Sequence, residues 1–121
     1  MTAAPTAAHA RGFTHCTADL FGVSPALLRD DSLLGGLLIA AAGAAGLSTI
    51  GAPLVRRLPN EDVAAWLALD GCHIALHAFP ARELLLLDVL APAALDVRKA
   101  VDVFIRRLGA REVRADQRAR G

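Results

Sequence analysis

The stretch Leu69-Asp70-Gly71-Cys72-His73-Ile74-Ala75-Leu76-His77-Ala78-Phe79-Pro80 decides how this chain is read. Residues 73–79 read as an extended strand, and that reading fixes what its reactive side chains can do. On a helix, His73 and His77 would share one face and could hold a zinc ion with Cys72, His15 or Cys16. On a strand they also share a face, but at the usual rise they stand ~13 Å apart, too far for one ion. No metal is therefore expected. Cys72 and His77 fall on opposite faces of such a strand, ~16 Å apart. They cannot act as a nucleophile–base pair within one strand. Across a two-fold axis, His77 of one protomer could approach Cys72 of another, giving two equivalent sites per dimer. The plainest alternative makes Cys72 a small buried apolar residue and the histidines hydrogen-bonding groups at a sheet edge.

Outward from this run the pattern is strand, helix, several strands, helix, strand. Residues 13–21 set His15, Thr17, Asp19 and Phe21 against Thr14, Cys16, Ala18 and Leu20, the alternation of a half-buried strand that Gly22 ends. Ser24-Pro25 signals a helix start. Leu33, Leu34, Leu37, Leu38 and Ala41 recur at helical spacing, and Gly46 is a helix stop. Residues 47–58 read as a strand bent at Pro53, with a turn at Pro59-Asn60. Residues 63–69 and 84–90 read as strands, and 94–108 as a helix stopped by Gly109. Val113 is placed in a short final strand. Runs of adjacent strands with two helices predict an α+β two-layer sandwich, an antiparallel sheet with both helices on one face. Leu84-Leu85-Leu86-Leu87 is apolar on both sides, so a second protomer is expected over the open face.

The bulk numbers suit this picture. The chain has 121 residues, 55% of them hydrophobic, and could bury roughly two-thirds of its unfolded surface. Thirteen basic residues face 12 acidic ones, so no nucleic-acid or anionic-membrane footprint is expected. Arg111, Arg114, Arg118 and Arg120, interrupted by Glu112 and Asp116, read as a solvated tail. Residues 1–11 lack an apolar core and read as a disordered tail rather than a signal peptide. That leaves one domain over residues 12–116 and a C-terminal tail over 117–121. Residues 32–55 carry no charge and are long enough to cross a bilayer. They are mostly Ala and Gly, however, and Gly43, Gly46, Gly51 and Pro53 interrupt them. No membrane span and a cytoplasmic location are expected.

The same run resembles the short bacterial S-adenosylmethionine decarboxylases. Gly71-Cys72-His73-Ile74-Ala75-Leu76-His77-Ala78-Phe79-Pro80 keeps the register of that family's Glu-Ser-His, Ile-His and aromatic-Pro signature. Leu87-Asp88-Val89-Leu90 is similar to its later acidic strand. His15, Asp19, Leu20 and Gly22 match its opening pattern, followed by an Ala-rich helix and Ala45-Gly46. The resemblance covers residues 12–113. It implies a proenzyme cleaved between Gly71 and Cys72, where the first residue of the new chain becomes a pyruvoyl group. That ketone forms a Schiff base with the amine of S-adenosylmethionine and accepts the electrons released by decarboxylation, on the route to spermidine. Cys72 and His77 are then the catalytic candidates, in a homodimer or a heterodimer with a paralogue. Several positions depart from the family. Cys72 replaces the cleavage serine, Gly71 the glutamate before it, Ala64 the upstream serine, Pro92 the later cysteine and Ala81 an acidic residue. A cysteine can make the acyl shift as a thioester, whereas loss of positioned proton-transfer groups costs ~10²–10⁴-fold each. Two outcomes follow: a divergent decarboxylase acting on S-adenosylmethionine or a related amine, or a catalytically dead homologue that partners an active paralogue. Phe13, Phe21, Trp66 and Phe79 are candidates to face a sulfonium or adenine, although burial tendency assigns each to the core. Asp19 and Asp88 lie within apolar strands and require partners.

Overall fold

The computed structural model describes residues 12–121, so the tail read for residues 1–11 lies outside the described residues. Strand β1 (Phe13–Phe21) buries Thr14, Cys16, Ala18 and Leu20. Helix α1 (Pro25–Leu28) is a single turn with proline at its start. The main helix α2 (Asp31–Ala45) begins anew because Asp30 leaves helical geometry and its carboxylate accepts the Leu33 amide at 3.0 Å. Gly46, at φ 75°, closes it in the left-handed conformation that glycine adopts without strain. Strands β2 (Leu54–Arg57), β3 (Val63–Leu69), β4 (Cys72–Phe79) and β5 (Leu84–Pro92) follow. Helix α3 (Arg98–Leu108) and strand β6 (Glu112–Arg120) complete the fold.

All six strands form one sheet, in the order β2-β3-β4-β5-β1-β6, with every neighbouring pair antiparallel. The helices cover one face. α2 buries Leu34, Leu37, Leu38, Ala41 and Ala42, and α3 buries Ala100, Val101, Phe104 and Leu108. These meet Leu20, Leu67, Ile74, Leu76, Leu87 and Val89 from the strands in a single core. The other face of the sheet is open. The expected α+β two-layer sandwich is the architecture observed, with α1 as a small addition. No helix among the described residues is long and apolar enough to cross a membrane.

Three boundaries differ from the sequence reading. Residues 47–58 are mostly irregular: β2 spans only Leu54–Arg57, and Thr49 makes an isolated bridge to Leu69. The Pro53 and Gly51 that bend this segment interrupt its ladder. The last helix begins at Arg98, since β5 continues to Pro92 and Asp96 takes the Arg98 amide at 3.0 Å. The final strand is nine residues long and runs through Arg120, so residues 117–120 belong to the sheet and are not a tail. Polar alternation hid it, because β6 is an edge strand exposed on both faces.

Because Phe104 is fully buried between the layers, Phe104→Ala should cost about 3–5 kcal/mol of unfolding free energy, read by urea denaturation.

Candidate active site

The hairpin β3–β4 turns on Asp70 and Gly71, with Leu69 paired to Cys72. Gly71 has φ 74° and supplies the left-handed step that this two-residue connection requires. Strand β4 then alternates. Cys72, Ile74, Leu76 and Ala78 face the helices, and His73, Ala75, His77 and Phe79 face the open side. The sequence reading that set Cys72 and His77 on opposite faces is the arrangement observed. The Cys72 side chain is 8% exposed and belongs to the core. Burial pushes its thiol above the ordinary range, and the Asp70 carboxylate pushes it further the same way. Cys16, also in the core, is raised chiefly by burial. Neither thiol is placed as an activated nucleophile.

His77 is exposed on the open face, its ring stacked 6.3 Å from that of Phe79. Directly across β3, its register partner is Ala64, which offers no hydroxyl. The β4–β5 ladder ends at His73–Leu90, so Pro92 and Cys72 share one end of the sheet, away from His77. One protomer therefore keeps Cys72 apart from the Ala64–His77 pair, and Pro92, at the Cys72 end, is on the opposite face from Cys72. Two depressions open beside His77. One, of about 180 Å³, is lined by Leu54, Arg56, Trp66 and Ala75 among others. The other, of about 280 Å³, is lined by Thr17, Asp19, Ala75, Leu86 and Asp88 among others.

The open face also carries a cluster that the sequence reading did not assemble. The Asp88 carboxylate lies 2.9 Å from His15 Nε2 through one oxygen and 3.1 Å from His73 Nε2 through the other. His15 sits across from Leu90 on β1, and His73 across from the same Leu90 on β4, so both rings reach diagonally to Asp88. Each ring donates an Nε2–H to the carboxylate. All three side chains are partly exposed, so solvent screens the cluster, and each bond contributes no more than about 1 kcal/mol. Asp88 thus has the structural partners its apolar strand demanded. Cross-strand register was the missing signal, since His15, His73 and Asp88 share only strand parity in the sequence. No group of three or more His, Cys, Asp or Glu among the described residues is arranged to hold a metal ion. Of the aromatic candidates, Phe21, Trp66 and Phe79 lie on the open face outside the core, Trp66 at 44% exposure, whereas Phe13 at the start of β1 packs partly buried against the core.

Fold and face together define a two-layer α+β sandwich whose polar and aromatic groups gather on an uncovered sheet. The family model for S-adenosylmethionine decarboxylase matches residues 14–121, and the chain belongs to that family. In fold it is similar to the solved adenosylmethionine decarboxylase of Aquifex aeolicus, with a TM-score of 0.81, 24% sequence identity and 92% of each chain covered. The comparison with curated proteins finds no match.

Two outcomes are expected. Near neutral pH both Cys16 and Cys72 should react with Ellman's reagent only after denaturation; fast labelling of native Cys72 would contradict its placement. In long-range ¹H–¹⁵N spectra His15 and His73 should both carry a proton on Nε2. In Asp88→Asn at least one ring should change tautomer, because the amide carbonyl accepts only on one side.

Proposed function

We propose that this chain is a cytoplasmic S-adenosylmethionine decarboxylase-like protein of polyamine metabolism that keeps its Gly71–Cys72 bond and acts as a non-decarboxylating partner. The position of Cys72 carries this reading. Its thiol is buried toward the helices and held protonated, while His77 lies on the other face beside Ala64. A family member makes its pyruvoyl group from the residue at this position, and the groups present here do not fit that task. Burial keeps the thiol from becoming a thiolate. Ala64, directly across the ladder from His77, offers it no hydroxyl proton, and Pro92 offers no proton where the family has a thiol.

What remains suited to work is the open face. Trp66 and Leu86 are exposed there at 44% and 37%, flanking His77 and the two depressions. Apolar surface of this kind is stabilised by a second protomer. A copy of this chain or of a paralogue is the proposed occupant. S-adenosylmethionine or a related amine is the small molecule such a face would hold, through the Asp19 carboxylate and aromatic ring faces.

A second reading, self-processing to an active enzyme, is favoured by Gly71, whose bare Cα leaves the scissile carbonyl open to attack. One measurement separates the two. After prolonged incubation the purified chain should give a single species of 12.6 kDa. Fragments that end at Gly71 and begin with a blocked residue 72 would overturn the unprocessed reading. Open-face pairing has its own test: Trp66→Asp should halve the mass seen in sedimentation, and an unchanged mass would remove that pairing.

A further inference from the structure

Among the described residues strand β6 is the edge of the sheet, with no strand on its outer side. Which of its backbone groups point outward follows from one bond. The Ala93 amide donates to the Gly12 carbonyl at 3.0 Å, and this pair continues the β1–β5 register. Hydrogen-bonded pairs alternate along an antiparallel ladder. Even-numbered residues of β1 therefore turn their backbone groups to β5, and odd-numbered ones turn theirs to β6. Through the β1–β6 register, His15 with Arg118, Thr17 with Asp116 and Asp19 with Arg114, the even-numbered residues of β6 bond to β1. Val113, Ala115, Gln117 and Ala119 present their N–H and C=O groups to solvent.

We propose that this edge pairs antiparallel with β6 of a second copy of the chain, about a two-fold axis through Ala115. In that register Ala115 faces the partner's Ala115, and Val113 faces the partner's Gln117. Each outward-bonding residue thus meets another. On the open side of the sheet, Glu112 faces the partner's Arg118, and Arg114 faces the partner's Asp116. The axis repeats both pairs, so every charge from Glu112 to Arg118 meets its opposite. The nearest alternative registers fail. A slip of one residue sets outward-bonding positions against inward-bonding ones. An axis through Asp116 opposes Asp116 to itself and Arg114 to Arg118, and an axis through Arg114 opposes Arg114 to itself and Glu112 to Asp116.

Two observations add weight. Arg114 already binds Glu112 along the strand at 3.0 Å, so cross-strand pairs would join these into one continuous network. The strand also pairs with β1 over all nine of its residues, which holds it extended along the edge. Exposed ion pairs are individually weak, so the charges select the register while main-chain hydrogen bonds hold the strands together. Charges that serve only to keep an edge solitary need no order of sign. Here the sign alternates in a self-complementary way.

Sedimentation of the full chain tests this. In a Trp66→Asp background, which removes open-face pairing, the chain should still dimerise. Arg118→Glu alone or Glu112→Arg alone should weaken that dimer at least about tenfold, since each places like charges opposite one another twice. The double variant Glu112→Arg/Arg118→Glu should return to within about threefold of the background. Ala115→Pro should abolish the dimer, because the Ala115 amide serves no bond inside the protomer and the β1–β6 ladder survives its loss. Hydrogen exchange should slow at Val113, Ala115 and Gln117 on association. A background chain that stays monomeric at about 1 mM, a dimer that withstands Ala115→Pro, or a double variant as weak as the singles would overturn the proposal. The effect of Trp66→Asp itself reports only on the open face, so either pairing can fail without the other.

Discussion

The pleat of a sheet roofed on one side governs everything else in this molecule. Side chains along a strand alternate between two environments, and only one of them is sealed by helices. In β4 that alternation sends Cys72 into the core and His73 and His77 to the open face. No rotamer change can bring the thiol round to the histidine, because a strand's facing is fixed by its register. The same rule assembles Asp88 with His15 and His73 from three strands, since all three residues fall on the open parity. Reactive groups are thus sorted before any question of catalysis arises. Those in the core are kept neutral and packed, and those on the open face are half-solvated and free to meet a partner.

The fold was legible where one periodicity ran long enough to be unambiguous. β1 alternates cleanly over nine residues, and the Leu-rich spacing of α2 leaves no other element to choose. Opposite placement of Cys72 and His77 was legible for the same reason, as parity alone determines it. What failed were features set by neighbours. Residues 47–58 look like a strand by composition, but pairing requires a ladder partner in register, and β3 accepts only Leu54–Arg57 with a lone bridge at Thr49. β6 has the reverse problem. Its alternation is between charges and small residues, which resembles a solvated tail until β1 is seen to pair with its whole length. The histidine–aspartate cluster required the relative register of three strands, which no single stretch contains.

Register also sets where the residues that depart from the resembled decarboxylase pattern lie. Ala64 and His77 are direct cross-strand neighbours, so the residue across the ladder from the imidazole carries no hydroxyl. Pro92 and Cys72 lie at the same end of the sheet but on opposite faces, Cys72 in the core and Pro92 on the open side with Asp88 and Leu90. The family fold lies beneath these positions, and the histidine–aspartate cluster sits on its open face.

The two uncovered boundaries of the sheet then make different physical demands. The open face exposes Trp66 and Leu86, and covering it removes apolar area from water, a contribution that is insensitive to salt. The β6 edge exposes unpaired backbone groups among alternating charges, and pairing it satisfies directional bonds whose register the charges select, a contribution that salt weakens. Face pairing stacks layers, whereas edge pairing extends them. Two-fold axes of these two kinds lie in different directions on the same protomer. Where they intersect the assembly closes, and where they do not it grows without limit. In the proposed edge pairing, the ordered charge on β6 favours the axis through Ala115, and the direction of that axis decides which of those two fates the chain meets.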